Sequence, residues 1–205
     1  MGAGVRRWQV LLIGGSSGVG KTVVARELAK HLSLSLLLLD DVRLALQEAT
    51  SSETNSEMHV FLNYQKEKWR DPESIYADWI RVAKAMTAPL NVIISHHLLV
   101  PDVGPIIIEG DGILPMARRQ LGEPNDVCTV FIVEEDEAQL LHNLQSRGRG
   151  YHDLDTPEQK GFAHASWLYG QWLAREARKF ELPVIHVRSQ KTLLQRLLSM
   201  AGVQS

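Results

Sequence analysis

The sequence predicts an α/β fold, a parallel sheet covered by helices on both faces. Three observations lead there. Five short apolar runs, at 8–13, 34–39, 105–111, 126–133 and 183–187, alternate with stretches of helical periodicity. The runs lack the apolar/polar alternation of a sheet with one wet face, as expected of strands buried on both sides. A glycine-rich turn joins the first run to an amphipathic helix. With 205 residues and 44% hydrophobic content, the chain fits one domain over 1–205, with a helical insertion at about 50–100 and a short lid at about 146–156.

In order, the first run ends in Gly14-Gly15-Ser16-Ser17-Gly18-Val19-Gly20-Lys21-Thr22. From Gly15 this reads G-x-x-x-x-G-K-T, the P-loop (Walker A) pattern. Backbone N–H groups from Gly15 through Thr22 must wrap a polyphosphate, and side chains at Gly15, Gly18 and Gly20 would block that approach. Lys21 reaches the β- and γ-phosphates, and Thr22 offers a hydroxyl to Mg²⁺. The helix that opens at Gly20 aims its positive end at the anion. Val24, Leu28 and Leu32 form its apolar stripe.

The second run ends in Asp40-Asp41, at the strand end where open α/β sheets place their ligands. One of the two is expected to cap the next helix and the other to work in the crevice. After a polar loop at 50–56, Met58, Phe61, Leu62 and Trp69 recur at helical spacing. Asp71-Pro72-Glu73 opens a helix through Ile75, Trp79, Ile80, Ala83 and Met86. The stretch 90–100 is ambiguous: Val92-Ile93-Ile94 suits a strand, whereas Leu90, Ile93, Ile94 and His97 suit a helix starting after Pro89, the reading adopted. His96 and His97 read as core-edge histidines, because no second ligand pair has metal spacing. This insertion is too long for a plain crossover and is assigned to the second substrate.

The third run ends in Glu109-Gly110-Asp111. The fourth contains the single cysteine, Cys128, read as a small core residue. A helix over 136–145 leads to Ser146-Arg147-Gly148-Arg149-Gly150, then a long helix from about 156 to 180. The fifth run and a final helix at about 189–201 close the chain.

Charge and composition exclude much. The net charge of −2, with interspersed signs, offers no basic field for polymeric nucleic acid or an anionic membrane. No run reaches the ~20 apolar residues of a membrane span, and a lone cysteine suits a reducing cytoplasm. No lysine is followed two residues on by aspartate, no LSGGQ-like signature occurs, and the length leaves no room for the helical domain of AAA+ machines. A nicotinamide-type G-x-G-x-x-G fails because Val23 stands at the third glycine position.

Sharing one crevice, the P-loop, Asp40 and Asp41, Glu109 and Asp111, and Arg147 and Arg149 suit phosphoryl transfer, which is mostly positioning and charge neutralisation. Mg²⁺ is assigned to Thr22 with the Glu109 carboxylate behind its waters. Asp40 is placed to orient or deprotonate an acceptor hydroxyl, Asp41 and Asp111 to contact the acceptor, and Arg147 and Arg149 to close over the phosphates. Each has a blander reading: Glu109 as a structural acid, the arginines as a solvated connector.

The stretch from Ile13 to Thr22, then Asp40-Asp41-Val42-Arg43, then Ile107-Ile108-Glu109-Gly110 with Leu114-Pro115, resembles the nucleotide-binding core of 2-phosphoglycerate kinases. More broadly it is similar to the P-loop small-molecule kinases related to nucleoside-monophosphate, gluconate and chloramphenicol kinases. The resemblance implies a P-loop NTPase three-layer sandwich with strand order 2-3-1-4-5, ATP and Mg²⁺ as cofactors, and an arginine-bearing lid. It also implies Asp40 at the acceptor hydroxyl and Arg43 as an anion contact. The likeness is poor over the insertion at about 50–100. Where those kinases tend to read E-G-V-H-L, this chain has Glu109-Gly110-Asp111-Gly112-Ile113. The expected activity is a cytoplasmic, ATP- and Mg²⁺-dependent phosphotransferase acting on a hydroxyl or phosphate of a small metabolite, with a 2-phosphoglycerate-like acid the first acceptor to consider. The competing reading is an ATP-binding switch or slow ATPase serving as a regulatory partner.

Overall fold

The structure, a computed structural model, describes residues 8–117, 125–147, 156–187 and 190–202. Five parallel strands, β1 (Val10–Gly15), β2 (Ser35–Leu38), β3 (Ile106–Gly110), β4 (Val127–Val133) and β5 (Val184–His186), form one sheet in the order β2-β3-β1-β4-β5. This is the 2-3-1-4-5 order the resemblance implied. The registry pairs Ile13 and Leu38 with Glu109, and Gly14 with Gly110. The C-terminal ends of the three strands therefore open on one edge, and everything they carry faces the same crevice.

The unbroken apolar runs are explained by two cores, one on each face. Leu11 and Ile13 point into one core with Val24, Leu28, Val130, Ile132 and Leu197. Val10 and Leu12 point into the other with Ile108, Phe131, Met86, Leu90 and Tyr169. Successive strand residues are buried on opposite faces, so the sequence has no polar alternation to show.

Helices α1 (Lys21–Leu32), α4 (Glu137–Gln145) and α6 (Gln190–Met200) contribute to the first core, and α2 (Leu39–Ala49), α3 (Pro72–Leu99) and α5 (Thr156–Lys179) to the second. Asp71 caps α3, its carboxylate accepting from the Ser74 N–H at 3.3 Å, and Asp136 caps α4 through the N–H groups of Ala138 and Gln139.

Three local expectations give way to packing. Helix α3 is one 28-residue helix with Pro89 inside it, not two helices meeting there. Ile75, Val82, Met86, Leu90 and Ile94 are buried along one unbroken stripe, and that burial outweighs the hydrogen bond the proline removes. The segment with helical spacing at 58–69 folds as two 3₁₀ turns, Ser56–Asn63 and Lys66–Arg70. Phe61, Tyr64 and Trp69 pack ring against ring there, Phe61 stacked on Trp69 and Tyr64 edge-on to Trp69, so ring packing fixes the path. Third, β2 ends at Leu38 and α2 begins at Leu39 with Leu38 as its N-cap and no side-chain cap. Neither Asp40 nor Asp41 caps that helix. Both lie in its first turn, where the helix dipole favours negative charge.

Candidate functional site

The site is built from the turn between β1 and α1. Gly20, the N-cap of α1, has φ 88° and no side-chain cap. The first N–H groups of α1 are therefore left for an anion. Gly18 has φ 87°, and a Cβ there would sit 2.8 Å from Leu144 Cγ of α4. Its glycine is thus required by helix packing as much as by the left-handed backbone. We expect Gly18→Ala to cost about 2–4 kcal/mol, the left-handed penalty plus the overlap with Leu144. Urea unfolding checks this; an unchanged midpoint would contradict it.

The loop is braced from two helices. Ser166 of α5 donates to the Ser17 carbonyl at 2.6 Å, and Asn143 of α4 donates to the Gly18 carbonyl at 3.2 Å. Arg147, just beyond α4, donates from Nη1 to Ser17 Oγ at 2.9 Å. Lys21 is buried, its Nζ donating to the Ser16 carbonyl at 2.9 Å. Ser16 and Val19 are buried in the same turn. Arg149 lies outside the described residues, as does most of the expected lid at 146–156.

Thr22 Oγ1 donates to Glu109 Oε1 at 2.7 Å, joining the start of α1 to the end of β3. Glu109 is only 5% exposed. A buried carboxylate beside a hydroxyl is a hard-oxygen pair, the donor type Mg²⁺ takes. Among the described residues no group of three His, Cys, Asp or Glu could cage a metal.

Two cavities flank the loop. One, of about 350 Å³, is lined by Gly18, Gly20, Lys21, Thr22, Arg26 and Arg147, among others. The other, of about 260 Å³, has Ser17, Asp40, Arg43 and Asp111 in its wall. Ser17 borders the second cavity and bonds to Arg147 of the first, so it marks their junction.

Asp40 and Asp111 meet in the second cavity although 71 positions separate their numbers (111 − 40). Arg43 lies 3.9 Å from Asp40 and also donates to Gln47 Oε1 at 3.1 Å. Asp41 is exposed and is not among the residues lining either cavity. Burial pushes the Asp111 carboxyl up to about 6, and the charge of Asp40 adds to the rise, against the pull of Lys21 and Arg43. Tyr169 fixes this turn by donating its hydroxyl to the Asp111 carbonyl at 2.6 Å. Burial also holds the Tyr169 hydroxyl well above its ordinary range, so it stays a donor.

The Asp111 shift has a stability consequence. Folded Asp111 keeps its proton to about pH 6, against 3.8 ordinarily. Between those values the folded state binds more protons than the unfolded chain, so stability falls as pH rises through the window. We expect Asp111→Asn to be more stable than the parent above pH 6, by ~2–3 kcal/mol at most. Denaturant curves at pH 4 and pH 8 check this; an equal difference at both pH values would contradict it.

Sequence reasoning missed the loop braces Asn143 and Ser166 and the ring-lined side of the second cavity. Asn143 had one available signal: it lies in the last turn of the predicted helix, four residues before Arg147. His97, by contrast, bonds through Nδ1 to the Gly104 carbonyl at 2.9 Å and lines neither cavity. Cys128 is half-buried against the first core. No described helix is long and apolar enough to cross a membrane.

Known proteins place this architecture. A family model described as an AAA domain matches residues 10–160. A 2-phosphoglycerate kinase of Pyrococcus horikoshii is 28% identical over 193 residues, covering 86% of this chain and 58% of that protein. The chain thus spans well under two thirds of that relative's length. Among solved structures, a gluconokinase from Sinorhizobium meliloti aligns over 96% of this chain and 93% of its own, at 13% identity and TM-score 0.57. A shikimate kinase from Acinetobacter baumannii in complex with shikimate aligns over 95% and 93%, at 16% identity and TM-score 0.53. The match extends from β1 through the P-loop, β3 and β4 into α5, which makes the chain a member of the AAA domain family built on the fold of P-loop kinases.

Proposed function

We propose that this chain is an ATP- and Mg²⁺-dependent phosphotransferase that moves the γ-phosphate of ATP to a hydroxyl of a small molecule. The observation that carries this reading is the pair of cavities meeting at Ser17. One has phosphate-binding chemistry and the other a carboxylate pair, and the loop lies between them. A plain ATPase or switch has no need of the second.

In this reading ATP supplies the transferable phosphoryl group. Its phosphates lie along the loop from Gly15 to Thr22 and on the free N–H groups of α1, with Lys21 over the β- and γ-phosphates. Thr22 and Glu109 would hold Mg²⁺, which would supply positive charge against the nucleotide phosphates. Asp40 receives the acceptor hydroxyl and takes its proton, while Asp111 fixes the acceptor beside it. Arg147, which bonds to Ser17 at the junction of the two cavities, neutralises charge on the phosphoryl group in flight in this reading, the role an arginine finger fills for ~10³–10⁵ in rate elsewhere. Arg149, two residues further along the sequence, is proposed as its partner. The work is positioning and electrostatics, as phosphoryl transfer requires.

The test is ADP release in Mg²⁺-ATP across a broad set of small hydroxyl compounds. The expected result is strong stimulation by one compound class, lost in Asp40→Asn. Confirmed ATP binding with no acceptor effect would overturn the reading in favour of a switch.

A further inference from the structure

Among the described residues, the second cavity has the wrong charge for a phosphorylated or sugar acid. Its described lining contains two carboxylates, Asp40 and Asp111, and one cation, Arg43. That guanidinium already faces Asp40 at 3.9 Å and Gln47 at 3.1 Å. A phosphoglycerate carries about three negative charges, and planar anions are normally held by several arginine or lysine donors. Lys21 and Arg147 line the other cavity, where the nucleotide phosphates need them.

The rest of the wall is aromatic. Phe61 and Trp69 come from the two 3₁₀ turns, Trp79 from α3 and Phe162 from α5, and all four line the cavity. Their rings form a continuous set, with Phe61 stacked on Trp69 at 6.0 Å, Trp69 tilted on Phe162 at 5.8 Å and Trp79 edge-on to Phe162 at 5.0 Å. None of the four is fully buried. Rings bordering an open volume from three parts of the chain provide contact for a flat apolar body, and aromatic faces favour a cation over an anion.

Resting on the kinase reading above, we propose that the acceptor is an uncharged or cationic hydroxyl compound with a flat, apolar body. The ring set of Phe61, Trp69, Trp79 and Phe162 holds that body, and its hydroxyl points to Asp40 and Asp111. The reaction balances within this reading: the acceptor oxygen bonds to the γ-phosphorus, the β–γ bridging bond breaks to release ADP, and the hydroxyl proton leaves through the carboxylate pair.

The test measures ADP release by the wild-type protein in Mg²⁺-ATP with two sets of acceptors. One set holds adenosine, thymidine and an aromatic amino diol; the other holds 2-phosphoglycerate, gluconate and shikimate. The expected result is at least tenfold stronger stimulation by a member of the first set. In Phe61→Leu and Trp69→Leu, the KM for that acceptor should rise at least tenfold while kcat stays within about threefold. Stronger stimulation by an acid, or an unchanged KM in both variants, overturns the acceptor class and leaves the kinase reading standing. No stimulation by either set overturns both. The wild-type comparison decides the acceptor class even if neither variant folds.

Discussion

Lys21→Ala is expected to lower acceptor-dependent ADP release by ~10² to 10³-fold or more, as removal of a preorganised donor at developing charge does elsewhere. The fold should survive. Among the described residues Nζ donates to the Ser16 carbonyl, and losing that bond costs ~1 kcal/mol. Removing a largely buried ammonium offsets part of that. Stopped-time ADP assays with a thermal melt of the same preparation separate the two effects. Wild-type turnover in a well-folded Lys21→Ala would remove the P-loop from the mechanism altogether.

Asp40→Asn should cut kcat by ~10² to 10⁴-fold, the range for losing a positioned general base, while nucleotide binding stays near wild type. Asp40 lines the cavity of Asp111 and not that of Lys21 and Thr22. The substitution also makes a signed prediction about pH. The charge of Asp40 helps raise the Asp111 carboxyl to about 6, so its removal must let that carboxyl titrate lower. The acidic limb of any residual rate should move to lower pH, and a carboxyl signal assigned to Asp111 by NMR should move with it. An acidic limb that stays in place would mean the two carboxylates do not interact.

How much of this was legible in the sequence depends on the reach of each signal. The P-loop is local, and its strand and helix follow from a few neighbouring residues. The Thr22–Glu109 contact was also within reach, because a polar group ending a buried strand has one crevice to enter. Pairing Asp40 with Asp111 required only that both follow strand ends. The aromatic wall was not legible. Phe61 and Trp69 sit in 3₁₀ turns whose path is set by ring packing, and Phe162 arrives from a helix 93 positions beyond Trp69 (162 − 69). No periodicity links residues that meet only after α3 and α5 have packed. Pro89 misled for the opposite reason: a strong local signal was outweighed by a stripe of buried side chains continuing past it.

The packing of Gly18 against Leu144 makes α4 a measuring rod. One end of that nine-residue helix is pinned by the Asp136 cap, and its last turn is seated on the phosphate loop through Leu144 and Asn143. Arg147 follows three residues after Leu144, so its reach to Ser17 is a matter of counting. One residue added to α4 after Leu144 would turn the exit of the chain toward Arg147 by about 100° around the helix axis. The interval from Leu144 to Arg147 is therefore a fixed length in this architecture, one that tolerates a change of side chain far better than a change of spacing.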